Sequence, residues 1–127
     1  MDLVLTPART LLALALASLA GTAAAVGNAA AGQDVFAENC AECHSVKDGK
    51  HKKGPSLFAV LGRPAGAAPG FLYSAALKAS GKTWTADAID AYITNPKVSV
   101  PGGTMKYDGL ADAKARADLI AYLATLK

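Results

Sequence analysis

The apolar positions of this chain fall into blocks of different period. Leu11 to Ala20 is a ten-residue apolar run, LLALALASLA, with small residues after it. Farther on the pattern becomes helical. Over residues 112–126, Ala115, Leu119, Tyr122, Leu123 and Leu126 share a stripe, with Lys114, Arg116 and Asp118 off it. Residues 86–94 place Ile89, Tyr92 and Ile93 on one side, behind Thr85 as an N-cap. Pro96 ends that helix, because the residue before a proline disfavours the helical region. Residues 33–40 (QDVFAENC) predict a short helix preceded by Gly32, with the acidic Asp34 towards its start. Residues 73–79 predict another, ended by Gly81. No stretch alternates apolar and polar as a half-buried strand would.

Between these helices, residues 45–70 and 97–109 are rich in glycine and proline. The expected fold class is all-α, with short helices and long loops. Loops of that length are uncommon in a compact domain unless something else organises them. The length of 127 residues suits one domain. A composition of 52% hydrophobic and 18% charged residues argues against a long disordered region. No strongly apolar run long enough to span a bilayer occurs beyond the N-terminus, which excludes a multi-span membrane protein. No internal repeat is visible, which excludes a solenoid or propeller. Thirteen basic and ten acidic residues leave a net charge of +3, too little for a nucleic-acid binder.

The N-terminal block reads as an export signal. Arg9 provides a weak basic start beside Asp2, and Leu11 to Ala20 provides the apolar core. Ala23-Ala24-Ala25 fits the small-x-small cleavage rule, and Ala29-Ala30-Ala31 is a second fit. Residues 1–25 are therefore expected to be a cleaved signal peptide, or 1–31 if the second site is used, with the domain over 32–127. Retention as a membrane anchor is the alternative, which the short apolar core disfavours. A mature chain of about 100 residues buries only a modest core, which a covalent cofactor would help to fill.

The two cysteines lie three residues apart in Cys40-Ala41-Glu42-Cys43-His44. A disulfide across so small a loop stabilises little, so the pair reads as a chemical site. C-x-x-C-H is the attachment signature of c-type haem. Two thiols at i and i+3 share a face of a helical turn and can each form a thioether with a porphyrin vinyl group. The adjacent His44 then reaches the iron. A thioredoxin-like pair would need a βαβ setting. A zinc site would enlist Cys40, Cys43, His44 and His51, but its second ligand pair usually lies farther off. For a sixth ligand to iron, His51, Met1, Met105 and the lysines are candidates. Met1 leaves with the signal, and His51 is too near His44 to cross to the opposite face. Met105 sits in a loop, Pro101-Gly102-Gly103-Thr104-Met105, that can deliver its thioether. A lone methionine is otherwise core filler. Thioether ligation favours ferrous iron and raises the reduction potential.

An ordered set of motifs extends this site along the chain. After Cys40-x-x-Cys43-His44 come Gly54-Pro55-x-Leu57, Gly70-Phe71-x-Tyr73, Thr83-Trp84, Asn95-Pro96, Pro101-Gly102-x-x-Met105 and Asp118 to Leu123. In these the sequence resembles a class I cytochrome c, near the mitochondrial cytochrome c and bacterial cytochrome c2 group, from Gly32 to Lys127. The resemblance implies one covalent haem c, wrapped by short helices and long loops, with His44 and Met105 on the iron. It implies that the Pro55 carbonyl orients His44. It implies that Gly32 and Phe36 pack the first helix across Leu119 and Tyr122. Arg63, Tyr73 and Trp84 would engage a haem propionate, and Tyr92 would lie near the Met105 sulfur. Read alone, Trp84 and Tyr92 could equally be core aromatics and Arg63 a surface residue. Gly103, Thr104, Leu77 and Tyr107 depart from the usual residues of close relatives.

With both axial positions filled, the expected activity is outer-sphere electron transfer by a periplasmic carrier, not an enzyme. Lys47, Lys50, Lys52 and Lys53 lie close together around His51. They read either as a solvated loop or, with Lys97 and Lys106, as a basic rim for docking acidic faces of redox partners. The resemblance admits cytochrome bc1, a terminal oxidase and a photosynthetic reaction centre as partners of a monomeric shuttle. The rival functions are a haem sensor or enzyme whose Met105 dissociates, a zinc-bound module, and a carrier tethered by an uncleaved signal.

Overall fold

The computed structural model describes residues 26–127, so the proposed signal peptide lies outside the described residues. Five helices follow one another: α1 (Ala29–Asn39), α2 (Ala75–Lys78), α3 (Ala86–Thr94), α4 (Pro96–Ser99) and α5 (Ala113–Leu123). Each starts on a short polar side chain. Asn28, Ser74, Thr85, Asn95 and Asp112 accept the N–H groups of Ala31, Leu77, Ala88, Val98 and Ala115, which a helix start leaves without partners. The described residues form no strand, only an isolated bridge between Pro64 and Thr83.

Helix α3 runs as its periodicity predicts, and α2 and α5 are shorter than expected. Helix α1 differs at its start. It begins at Ala29, four residues before the predicted position, because Asn28 caps it and leaves Gly32 inside the helix. A glycine there lowers helix propensity, but the tertiary contact requires it. A Cβ on Gly32 would stand 1.9 Å from the Asp118 carbonyl oxygen and 2.8 Å from Tyr122 Cβ. Helix α4 was expected to be loop. Pro96 does end α3, yet it also occupies the first turn of a new helix, where a missing N–H costs nothing.

Helices α1 and α5 cross, bringing the two ends of the domain together. Phe36 meets Tyr122 with ring centroids 5.8 Å apart. Phe36, Val60, Trp84, Ile89, Leu119 and Leu123 form the core, with Cys40, Leu57, Leu77 and Tyr92 packed around it. Asp118 was read as lying off the apolar stripe, but it is buried, only 5% exposed. Its carboxylate accepts the Asn28 N–H at 2.7 Å and the Lys114 ammonium at 2.9 Å. A buried charge satisfied in this way is tolerated, and here it ties the start of α1 to α5.

Candidate functional site

The Cys40–His44 segment is the turn that follows α1. Cys40 closes that helix by donating its N–H to the Phe36 carbonyl. The N–H groups of Cys43 and His44 then bond to the Cys40 carbonyl at 3.0 and 2.9 Å. This tight turn puts both thiols and the imidazole on the wall of one cleft of about 320 Å³. Neither cysteine is in a disulfide. Burial, with Cys43 adding to it, pushes the Cys40 thiol up to about 11.

His44 is held from behind. Its Nδ1 is 2.8 Å from the Pro55 carbonyl, and a carbonyl only accepts, so Nδ1 carries the proton and Nε2 keeps its lone pair. Burial lowers the imidazole pKa and keeps the ring neutral, more than the Pro55 carbonyl raises it. Gly54 lies flat against the ring, where a Cβ would come within 2.4 Å of Cε1. Its N–H also binds the Cys43 carbonyl at 2.7 Å. Residues 52–57 thus form a strap under the cysteine turn.

Met105 also faces the cleft, delivered by the loop between α4 and α5. It borders a second, smaller pocket of about 60 Å³ together with Tyr92 and Gly103. Tyr92 therefore adjoins Met105, and it also touches Trp84, with rings 5.0 Å apart. Arg63, Tyr73 and Trp84 share the cleft wall with them. The Arg63 guanidinium is half satisfied. It donates to the Ser56 carbonyl at 2.9 Å and the Phe58 carbonyl at 3.2 Å, while its buried Nε has no partner. The Tyr73 hydroxyl accepts the Ala68 N–H at 3.1 Å. Gly103, Thr104, Leu77 and Tyr107, the departures from the expected pattern, all line the same cleft.

His51 has a different role from those considered in the sequence. One ring nitrogen meets the Pro69 carbonyl at 2.7 Å, and the other accepts the Ser56 N–H at 3.0 Å. Both nitrogens are engaged, so His51 is available neither to zinc nor to iron. Its ring also meets the edge of Phe71, which in turn meets Tyr73. His51 therefore supports the loop that carries Phe71 and Tyr73 to the cleft. The Pro-Gly composition of that loop gave no signal of this contact.

The lysines also divide. Lys53 pairs with Glu42 at 2.7 Å, and Lys97 pairs with Asp108 at 2.6 Å. Lys52 donates to the Ala41 carbonyl.

The cleft suits a large, flat, mostly apolar group carrying carboxylates and a metal. Its walls are the core residues themselves, since Trp84, Ile89, Leu119 and Leu123 belong to both. Arg63 brings a positive charge to the same wall, and two thiols, an imidazole and a thioether provide attachment and ligation.

Comparison with known proteins agrees. The cytochrome c family model matches residues 29–127. Cytochrome c2 of Rhodopila globiformis is 46% identical over 101 residues, covering 80% of this chain and 95% of that protein. Cytochrome c of Guizotia abyssinica is 44% identical over 101 residues, covering 79% of this chain and 91% of that protein. Among solved structures, cytochrome cH from Methylobacterium extorquens superposes with a TM-score of 0.73 at 43% identity, covering 78% of this chain and 99% of that one. The chain belongs to the cytochrome c family, with the class I fold: it is an electron carrier rather than an enzyme, and it takes a covalently attached haem c.

Proposed function

We propose that the chain is a periplasmic one-electron shuttle with a His44/Met105-ligated haem c. The observation that carries this reading is the convergence of Cys40, Cys43, His44 and Met105 on one cleft, with Arg63 on the same wall. Cys40 and Cys43 supply the two thioether sulfurs. His44 Nε2 and the Met105 sulfur hold iron, and Pro55 fixes the imidazole tautomer. Arg63, Tyr73 and Trp84 serve a propionate, and Tyr92 flanks Met105. When bound, the haem supplies an Fe(III)/Fe(II) couple. His44 and Met105 would both ligate its iron, and the apolar lining from Trp84, Ile89, Leu119 and Leu123 would pack against the ring.

Export precedes this work. Cleavage after Ala25 is the site we favour, because cleavage after Ala31 would remove Asn28, which caps α1 and bonds to Asp118. The partners are redox complexes of the cytochrome bc1, terminal oxidase or photosynthetic reaction centre type. They meet a lysine rim in which Lys47, Lys50, Lys52 and Lys106 stand in no ion pair among the described residues.

The test is an absorption spectrum of the exported protein, oxidised and reduced, with and without carbon monoxide. A low-spin covalent haem indifferent to carbon monoxide supports the reading. Prompt carbon monoxide binding overturns the methionine ligation and favours a sensor or enzyme. A colourless protein overturns the haem site altogether.

A further inference from the structure

Two consecutive lysines grip the residues that separate the cysteines. Lys52 Nζ donates to the Ala41 carbonyl, which has no helical partner because α1 has ended at Asn39. Lys53 Nζ donates to Glu42 Oε1 at 2.7 Å. Lys53 also lines the cleft beside Cys43 and His44, whereas Glu42 does not. Lys53 therefore belongs to the cleft lining that also includes Cys43 and His44, and its ammonium is paired with a carboxylate outside that lining. The pair is open to water, at 68% and 83% side-chain exposure. An ion pair so exposed contributes little to fold stability. Its main consequence is the charge it presents to the site.

We propose that Glu42 and Lys53 form a charge trim on the reduction potential: Lys53 favours the reduced state, and Glu42 offsets that preference. The proposal rests on the haem-site reading above. Reduction brings one electron from a redox partner and lowers the charge of the site by one, with no bond made or broken. A nearby positive charge favours that change, and a negative charge opposes it. Because both side chains lie largely in water, each acts through a high dielectric and moves the equilibrium by about twofold. Being paired, neither contributes net charge to docking.

Potentiometric titration of the haem-loaded protein at low salt tests this with three variants. Glu42→Gln unmasks Lys53 and shifts the equilibrium about twofold towards the reduced form, about 18 mV upwards at 59 mV per decade. Lys53→Gln shifts it about twofold the other way. The double variant E42Q/K53Q returns to within error of the parent. All the shifts shrink at high salt, where exposed charges are screened. A merely structural pair would move both single variants in the same direction and lower their unfolding midpoints, which overturns the proposal. Unchanged potentials in all three variants overturn it as well. Failure of the underlying reading shows separately, as a parent protein without covalent haem.

Discussion

Ala59 occupies a backbone conformation that few residues with a Cβ accept. Its φ is +51°, in the left-handed region. Its N–H donates to the Leu126 carbonyl at 2.9 Å, so the conformation is fixed by contact with the end of the chain. A non-glycine residue there costs about 1–2 kcal/mol. Glycine removes that strain but loses more entropy on folding, by about 0.4–1 kcal/mol. Ala59→Gly is therefore expected to stabilise the haem-loaded protein by about 0.5–1 kcal/mol. Guanidinium unfolding of the two proteins side by side reads the difference, and a lower midpoint for the glycine variant would contradict the strain.

At the scale of elements, the α1–α5 crossing depends on a glycine and a carboxylate. Gly32 lets the two backbones meet, and Asp118 holds the Asn28 N–H across the gap. The Asn28 N–H first, and then Lys114, hold the Asp118 carboxyl below its ordinary value. A carboxylate with a depressed folded pKa contributes stability that is fully present above the unfolded pKa of about 3.9 and is lost as pH falls through the folded value. Asp118→Asn lacks this contribution. The stability gap between parent and variant should be widest near neutral pH and narrow as pH falls below about 4. Denaturant midpoints measured across that range read the gap, and parallel curves would remove Asp118 from the acid response. Part of this crossing was legible in the sequence: Leu119, Tyr122 and Leu123 recur at helical spacing, while the packing of Gly32 and Phe36 against them followed from the resemblance to class I cytochromes c. The burial of Asp118 was not, since an aspartate beside Lys114 and Arg116 looks like part of a solvated face. Its partner is a backbone N–H ninety residues away, which no local pattern reports. Helix α4 was hidden for a similar reason. A proline read as a terminator also serves as a first residue, and only the Asn95 cap distinguishes the two roles. Cys40, Cys43 and His44 were visible by spacing, and Arg63, Tyr73, Trp84 and Tyr92 through the resemblance. The supports of His51 and Arg63 were not, because their partners are backbone carbonyls and a backbone N–H, which leave no mark on composition.

Over the whole molecule, a net charge of +3 conceals an uneven distribution. Of the rim lysines, Lys53 and Lys97 stand in ion pairs with Glu42 and Asp108, so their net charge is offset on the surface. Lys47, Lys50, Lys52 and Lys106 carry no such partner among the described residues, and Lys106 lines the cleft, so the proposed rim keeps a small positive field. Such a field speeds encounter with an acidic docking face, and salt weakens it as the Debye length falls to about 10 Å at 0.1 M. The second-order rate of electron transfer to an acidic-faced redox partner is therefore expected to fall about three- to tenfold between low and moderate salt. Stopped-flow mixing at a series of ionic strengths measures that slope. Lys47→Gln with Lys50→Gln removes two free charges and should flatten it. Lys97→Gln with Asp108→Asn removes a neutral pair and should leave it unchanged. If the neutral-pair variant flattens the slope as much as the free-charge variant, the field is not what guides docking. If the parent shows no slope at all, the lysine rim is a solvated surface and partners dock elsewhere.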